Sequence, residues 1–378
     1  MHEEKIAFYQ HDLGEPELEE IRRVFQGPIL TTGDQVAEFE KQFAAYLGCQ
    51  RAVGVTSWTG GAHITLLGLG IGPGDEVITT PLTFIATATA ILQAGATPVF
   101  VDVEPDTGNI DVSRIEAAIT PRTKAILPVH LYGLMCDMRA LRQLADRHRL
   151  AIVEDAAHCV EGNRDGIQPG QLSEASVFSF FATKNLACGE GGAVATNSQE
   201  LADKLKLLRL HGMNKTSSDR ERDGYQHWDM TCLGWKYNMD NIQAAMLLPQ
   251  MKRLEKKVEV REALAQSFFE RLAKIPGVSW PARPAGARHA NHLFPIWVEA
   301  SRRDKVIAHL QKRGITAVVN YRAIHLLTYF RETYGYQPGA FPIAERLGNQ
   351  CISLPFYPGL GLKAVERITG AVDEALHA

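Results

Sequence analysis

Three observations predict an α/β fold with a mostly parallel central sheet and a smaller α+β unit after it. Helix-period and strand patterns alternate between Gln35 and Thr196. The strand segments in that stretch are continuous apolar runs, as strands covered by helices on both faces require. From about Val278 the alternation gives way to short mixed elements.

Taken in order, Val36-Ala37-Glu38-Phe39-Glu40-Lys41-Gln42-Phe43 has helical spacing. Residues 51–55 read as a strand, followed by a helix through His63 and Leu67. Residues 76–79, 98–101 and 125–129 read as buried parallel strands with helix-length segments between them. Residues 151–153 and 177–180 continue that parallel series, and 192–195 close it. The polar stretch from Met213 to Asp229, with Gly224, reads as a mobile surface loop. A long helical pattern then runs from Asn241 to about Lys274, broken by Pro249. The remainder holds a strand at 293–298, a helix at 303–312 and a terminal helix.

The chain of 378 residues is long enough for two domains and a substantial core. Its 45% hydrophobic and 22% charged residues are ordinary for a soluble enzyme. A net charge of -3 without long runs of one sign argues against a nucleic acid or a membrane surface as partner. Met1-His2-Glu3-Glu4-Lys5 lacks the apolar stretch of a secretory signal. Six scattered cysteines without CxxC spacing point to reduced thiols in a cytoplasmic protein, with no metal site expected.

The chemistry concentrates in two segments. One is Ser176-Val177-Phe178-Ser179-Phe180-Phe181-Ala182-Thr183-Lys184-Asn185-Leu186, followed by Gly189-Glu190-Gly191-Gly192. The other is the strand at 151–153, which delivers Glu154, Asp155 and then His158. A strand-end acid, a hydroxyl near the end of an apolar run and a lysine just beyond it suit pyridoxal phosphate (PLP): the lysine forms the Schiff base and the acid holds the ring nitrogen protonated. A lone lysine is more often a solvated surface residue, but one next to Phe178-Ser179-Phe180-Phe181 would lose solvation, which lowers its pKa. Asp155 lies where open parallel sheets meet their ligands; capping of a following helix is the plainer alternative. His158 is placed over a ring or at its hydroxyl, and a structural histidine fits equally well.

Val55-Thr56-Ser57-Trp58-Thr59-Gly60-Gly61-Ala62-His63 passes from a strand through hydroxyl and small residues into a helix, which suits a phosphate. Ser179 is placed to add a hydroxyl, and Phe84 to stack on a ring or simply to pack in the core. Gly68-Leu69-Gly70-Ile71-Gly72-Pro73-Gly74 superficially matches a dinucleotide fingerprint but follows a helix and precedes a strand, so it reads as a helix C-cap and turn.

These segments resemble the DegT/DnrJ/EryC1/StrS family of sugar-nucleotide aminotransferases. The likeness extends through Gly72-Pro73-Gly74-Asp75-Glu76-Val77-Ile78, Pro98-Val99-Phe100-Val101-Asp102-Val103, Pro128-Val129-His130-Leu131-Tyr132-Gly133 and Glu154-Asp155-Ala156-Ala157-His158. His63-Ile64-Thr65-Leu66, Trp235-Lys236-Tyr237-Asn238, His292-Leu293-Phe294 and Tyr321-Arg322-Ala323-Ile324-His325 carry a finer likeness to enzymes that aminate C4 of UDP-linked 4-keto sugars, such as the 4-amino-4-deoxy-L-arabinose branch.

The resemblance implies a fold-type-I PLP-dependent transferase, aspartate aminotransferase-like, cytoplasmic and active in lipopolysaccharide or glycan biosynthesis. It implies L-glutamate as donor, 2-oxoglutarate as product and the pyridoxamine form (PMP) as the cofactor's intermediate state. A homodimer with shared active sites is implied too. Lys184 matches the Schiff-base lysine, Asp155 the pyridine-nitrogen partner and His158 the residue near the ring hydroxyl. Thr59, Gly60 and Ser179 match the phosphate cradle and Phe84 the aromatic cover, while Lys236 and Asn238 fall in the segment sent toward the partner's phosphate. Thr31, Thr32, Tyr321 and His325 are expected at the substrate. The expected division is an N-terminal segment at 1–34 that contributes to the substrate site, a large PLP-binding domain at 35–250, and a connecting helix with a small domain at 251–378.

Two departures from the family pattern stand out: Trp58 replaces a small residue and Ala182 a proline. Rival readings are amination of a C3-keto sugar nucleotide or a cyclitol ketone, or a non-catalytic binding protein. Sugar dehydratases of the family carry histidine where Lys184 stands, which argues against that activity.

Overall fold

The computed structural model describes residues 4–215 and 227–377. The middle of the expected surface loop, including Gly224, lies outside them; its described ends meet through Asn214 N–H donating to the Asp229 carbonyl at 3.1 Å.

The predicted strands assemble as β1 (Arg51–Val55), β2 (Glu76–Thr79), β3 (Thr97–Phe100), β4 (Thr123–Ile126), β5 (Ala151–Asp155), β7 (Ala175–Ser179) and β8 (Gly192–Thr196), while the short β6 (Asn163–Arg164) lies apart. The sheet is seven-stranded, in the order β1-β8-β7-β5-β4-β2-β3. The pairs β2–β3, β2–β4, β4–β5 and β5–β7 are parallel, with helices Ala86–Gln93 and Met138–His148 crossing over between successive strands. β8 departs from the expected parallel series: it pairs antiparallel with both β7 and β1. The reason is the connection. Residues 180–191 form a loop without the crossover helix that a parallel neighbour demands, so the chain turns straight back.

Successive residues of these strands enter two different cores. Val53, Val55, Val177 and Val194 pack against helices Trp58–Gly68 and Gln199–Leu208. Ala52, Phe178, Ala193 and Ala195 pack on the other face against helices Asp34–Leu47 and Asn241–Met251. Both faces are covered, which is why the strand sequences run apolar without alternation. On the second face Phe43 meets Phe178 and Phe180 edge-on at 4.9 and 5.5 Å and Phe39 in a stacked pair at 5.4 Å. Phe43→Ala should therefore lower the unfolding free energy by about 3–5 kcal/mol, seen as an earlier urea midpoint with an unchanged slope.

The helical pattern after Asn241 splits into helices Asn241–Met251 and Leu254–Leu272. Pro249 does not break the helix where the sequence suggests: it stays inside the first, its missing N–H leaving only the Ala245 carbonyl one turn upstream unpaired, and the break comes later at Lys252 and Arg253. Helix Trp58–Gly68 ends as expected at the glycine-rich turn, with Gly70 at φ +78°. A separate core gathers β10 (Phe294–Trp297) and its antiparallel partner β11 (Cys351–Leu354) with helices Leu254–Leu272, Ala300–Lys312 and Leu362–His377. β6 pairs with β9 (Ala287–Arg288) to one side.

All six cysteines are free, five of them buried. No helix among the described residues is long and apolar enough to cross a membrane.

Candidate active site

The carboxyl ends of β5 and β7 and the residues following β1 open onto one cavity of about 370 Å³. Ser57, Thr59, Phe84, Asp155, His158, Ser179, Lys184, His292, Asn320 and Tyr321 are in its wall. Ligands at strand carboxyl ends follow from parallel sheet geometry. β8 reaches this place through Gly192, which pairs with both Val55 and Ser179. A Cβ there would come within 2.6 Å of the Ser57 carbonyl carbon. Only glycine lets the antiparallel strand start against the turn before helix Trp58–Gly68.

Asp155 ends β5 and is buried. Its Oδ2 accepts from Thr87 Oγ1 at 2.8 Å, and its Oδ1 accepts the Ala157 N–H at 3.2 Å. Thr83 Oγ1 lies 2.8 Å from Thr87 Oγ1; since Thr87 gives its proton to the carboxylate, Thr83 is the donor of that pair. Burial raises the Asp155 pKa, against the pull of the Thr87 bond, the Ala157 amide and the Lys184 charge. The neighbouring Glu154 points to the other side of the sheet, where His130 Nε2 meets it at 2.6 Å.

Lys184 follows β7 on the loop that leads to β8. Burial lowers its pKa from 10.5 to about 8, while Asp155 opposes the shift. In cofactor-free protein, capture of an acid anhydride by this amine should climb about tenfold per pH unit and level off near pH 8, where an exposed lysine would continue to about 10.5. A peptide-resolved rate profile that rises past pH 10 would contradict this.

His158 is set by a turn, with Cys159 N–H bonded to the Ala156 carbonyl at 3.0 Å, and no helix begins there for Asp155 to cap. Its Nδ1 accepts the Tyr132 N–H at 3.3 Å, so Nε2 carries the proton and donates to Tyr321 Oη at 3.2 Å. Burial and the nearby Lys184 charge hold its pKa well below the usual value.

Helix Trp58–Gly68 turns its N-terminus toward the cavity, where the first-turn amides of Trp58 and Thr59, which have no acceptor within the helix, suit an anion. Ser57 caps it: its Oγ accepts the Gly60 N–H at 3.1 Å. Gly60, expected in the phosphate cradle, is therefore not in the cavity wall; its amide is taken by the cap, and a Cβ on it would meet the Tyr237 ring at 3.0 Å. Ser57, Thr59 and Ser179 supply the hydroxyls.

Five other expected residues, Thr31, Thr32, Lys236, Asn238 and His325, lie away from the cavity within one chain. Asn238 Nδ2 donates to Thr32 Oγ1 at 2.8 Å and approaches Thr31 Oγ1 at 3.3 Å, and Thr32 donates to the Met239 carbonyl at 2.7 Å. Lys236 is exposed on the same segment. His325, expected at the substrate, is fully buried; its Nε2 bonds Glu345 Oε1 at 3.0 Å and its ring packs on Phe341. The pairing is a structural reason for a polar residue in that segment.

Thr87, Ser57, Asn320 and His292 are not among the site residues that the sequence predicts. Thr83 and Thr87 do carry a signal, four residues apart at the start of a helix that follows a strand. His292 stands in a segment that carries the finer likeness, but no local pattern brings it to Lys184, 108 residues away, whose Nζ it meets at 3.5 Å.

The sequence pattern of the DegT/DnrJ/EryC1/StrS aminotransferase family matches residues 11–373. The chain belongs to this family. It is 40% identical over 368 residues to the spore coat polysaccharide biosynthesis protein SpsC of Bacillus subtilis, covering 96% of this chain and 95% of that one. The fold superposes on DesV of S. venezuelae with a TM-score of 0.89 and 39% identity, over 95% of this chain and 93% of that one. It superposes on Spr1654 of Streptococcus pneumoniae, assigned as a sugar aminotransferase and solved in its PMP form, with a TM-score of 0.94 and 28% identity, over 98% and 99% of the two chains.

Membership makes the protein a PLP-dependent sugar aminotransferase. The cavity fits that cofactor. It offers a buried acid, a lysine of lowered pKa and a helix N-terminus with hydroxyls, in a volume within the usual range for such ligands. Among the described residues no group of His, Cys, Asp or Glu is arranged to hold a metal ion.

Proposed function

We propose that the protein moves an amino group from L-glutamate to the C4 carbonyl of a UDP-linked 4-keto sugar. The observation that carries the transaminase part is the half-buried Lys184 amine, its pKa lowered, facing the same cavity as the strand-end Asp155 carboxylate. The UDP-4-keto-sugar part is supported by the sequence likeness at His63, Trp235–Asn238 and Tyr321–His325. A glycan pathway is in keeping with the spore coat polysaccharide role of the relative SpsC.

Bound PLP supplies an electron sink that lets a C–H bond beside nitrogen ionise. Lys184 Nζ takes up the proton leaving the donor's α-carbon, and in the second half-reaction a proton returns to sugar carbon C4. A pKa of about 8 suits an amine that must both accept and release a proton near neutrality. Asp155 holds the proton on the pyridine nitrogen through its charge. His158 and Tyr321 form one wall. Thr59, Ser57, Ser179 and the first-turn amides bind the phosphate. Phe84, 55% exposed at the mouth, covers a ring face, and Phe8, Phe181 and Leu293 keep water out.

The protein acts in the cytoplasm as a homodimer. Support for a second chain comes from the exposed Phe84, Phe181, Met230 and Leu233. The Thr31–Thr32–Asn238 group and Lys236 would then serve the partner's cofactor and substrate. Exposed Arg322 is suited to the diphosphate. Residues 1–34, 35–250 and 251–378 remain the proposed functional divisions, with Phe8 already in the cavity wall.

The test is glutamate-dependent amination across UDP-, dTDP- and GDP-linked 4-keto and 3-keto sugars and cyclitol ketones, with products located by NMR. We expect turnover to concentrate on a UDP-4-keto sugar with nitrogen on C4. Products aminated only at C3, or only on a cyclitol, would replace this reading.

A further inference from the structure

Behind Lys184 lies a buried polar chain to which the proton transfers above give no task. His292 is 5% exposed and Asn185 is 6% exposed. Asn185 Nδ2 donates to Glu161 Oε2 at 3.2 Å and to the Ala290 carbonyl at 2.8 Å. Those acceptors use both amide hydrogens, so exchanging oxygen and nitrogen would set a carbonyl against a carboxylate and a second carbonyl. The oxygen must therefore face His292, whose Nδ1 lies 3.4 Å from it. An amide oxygen only accepts, so Nδ1 carries the proton. That leaves the Nε2 lone pair facing Lys184 Nζ at 3.5 Å.

The backbone around His292 is held as well. Its N–H donates to the Tyr132 carbonyl at 3.1 Å. Arg261 donates to the carbonyl of Asn291 at 3.0 Å. The charged and titratable groups around the imidazole are Lys184, His158 with its ring 4.5 Å away, and Arg261; together with burial they keep it neutral. A neutral acceptor is what an amine needs if it is to stay in one rotamer while changing its own protonation.

We propose that His292 is a positioning residue for the reacting amine: its Nε2 accepts an N–H from Lys184, and Asn185, braced by Glu161, sets the tautomer that makes this bond available. The proposal rests on Lys184 being that amine. The amine released from the cofactor would otherwise have to find its direction by chance, and misplacement by about an ångström costs roughly a hundredfold in rate.

Three measurements on the full-length, PLP-loaded protein test it. Borohydride trapping with peptide mapping comes first, in the wild type and each variant. Label on a residue other than Lys184 in the wild type overturns the Lys184 reading and this one with it. Label on Lys184 keeps the first reading and lets the rest judge His292 alone.

Second, His292→Leu should lower kcat about a hundredfold with KM for glutamate within about threefold. His292→Gln, whose Oε1 reaches the place of Nε2, should recover to within about tenfold of wild type. Activity of His292→Leu near wild type overturns the proposal. So does a His292→Gln as slow as His292→Leu when both melt like the wild type, because that pattern belongs to packing alone.

Third, ¹⁵N-histidine NMR, with the His292 signal assigned by its absence from His292→Gln, should show Nδ1 protonated and Nε2 unprotonated with and without cofactor. The opposite tautomer overturns the proposal even where His292→Leu fails to fold.

Discussion

Lys184→Ala is expected to lower kcat by about 10⁴-fold or more, since it removes the proton carrier and the covalent tether together. A factor of that size corresponds to about 5 kcal/mol of barrier. The fold should survive. The lysine's lowered pKa means that burial works against its charge, so alanine relieves a cost in the cofactor-free protein. The variant should still bind PLP through the helix N-terminus and the hydroxyls, without the spectrum of the covalently held cofactor. Small primary amines such as methylamine should restore part of the rate, because they can enter the cavity that the side chain vacates. A Lys184→Ala enzyme with turnover near wild type would remove the basis of the mechanism.

Asp155→Ala carries the second largest expected effect, a loss of about 10³–10⁴-fold in kcat/KM, or about 4–5 kcal/mol. The carboxylate is the group placed to keep a pyridine nitrogen protonated, and it acts from a dry site where one charge counts for more than in water. Its bonds from Thr87 and Ala157 fix its direction. Asp155→Asn separates shape from charge: an asparagine oxygen can still accept from Thr87, yet it cannot hold the pyridinium proton. The asparagine variant should therefore be nearly as slow as alanine. Thermal stability should separate the two variants: in cofactor-free protein alanine leaves the Thr87 hydroxyl and the Ala157 N–H without their acceptor, so it should melt earlier than asparagine, which keeps an accepting oxygen. A fast Asp155→Asn enzyme would assign the residue a structural task only.

Much of this site is legible in the chain's own patterning. Lys184, Asp155, His158, Thr59, Ser179 and Phe84 all reach one cavity, because each follows or ends a strand whose apolar run marks it in the sequence. The choice of Asp155 over Glu154 follows from the two-residue period of a strand, which turns neighbouring side chains to opposite faces. Periodicity fails where distant chain segments meet. Nothing near Asn238 announces Thr32, and nothing near His325 reveals Glu345.

The sequence alone determined the class of fold, the strands of the large sheet and the acid–lysine pair, since local apolar patterning and residue chemistry decide those. Tertiary structure decided that β8 runs antiparallel, that Thr87 steadies Asp155 and that His292 stands beside Lys184. Those relations depend on which loops close over which strand ends, and a hydrogen bond between residues a hundred positions apart leaves no local period to read.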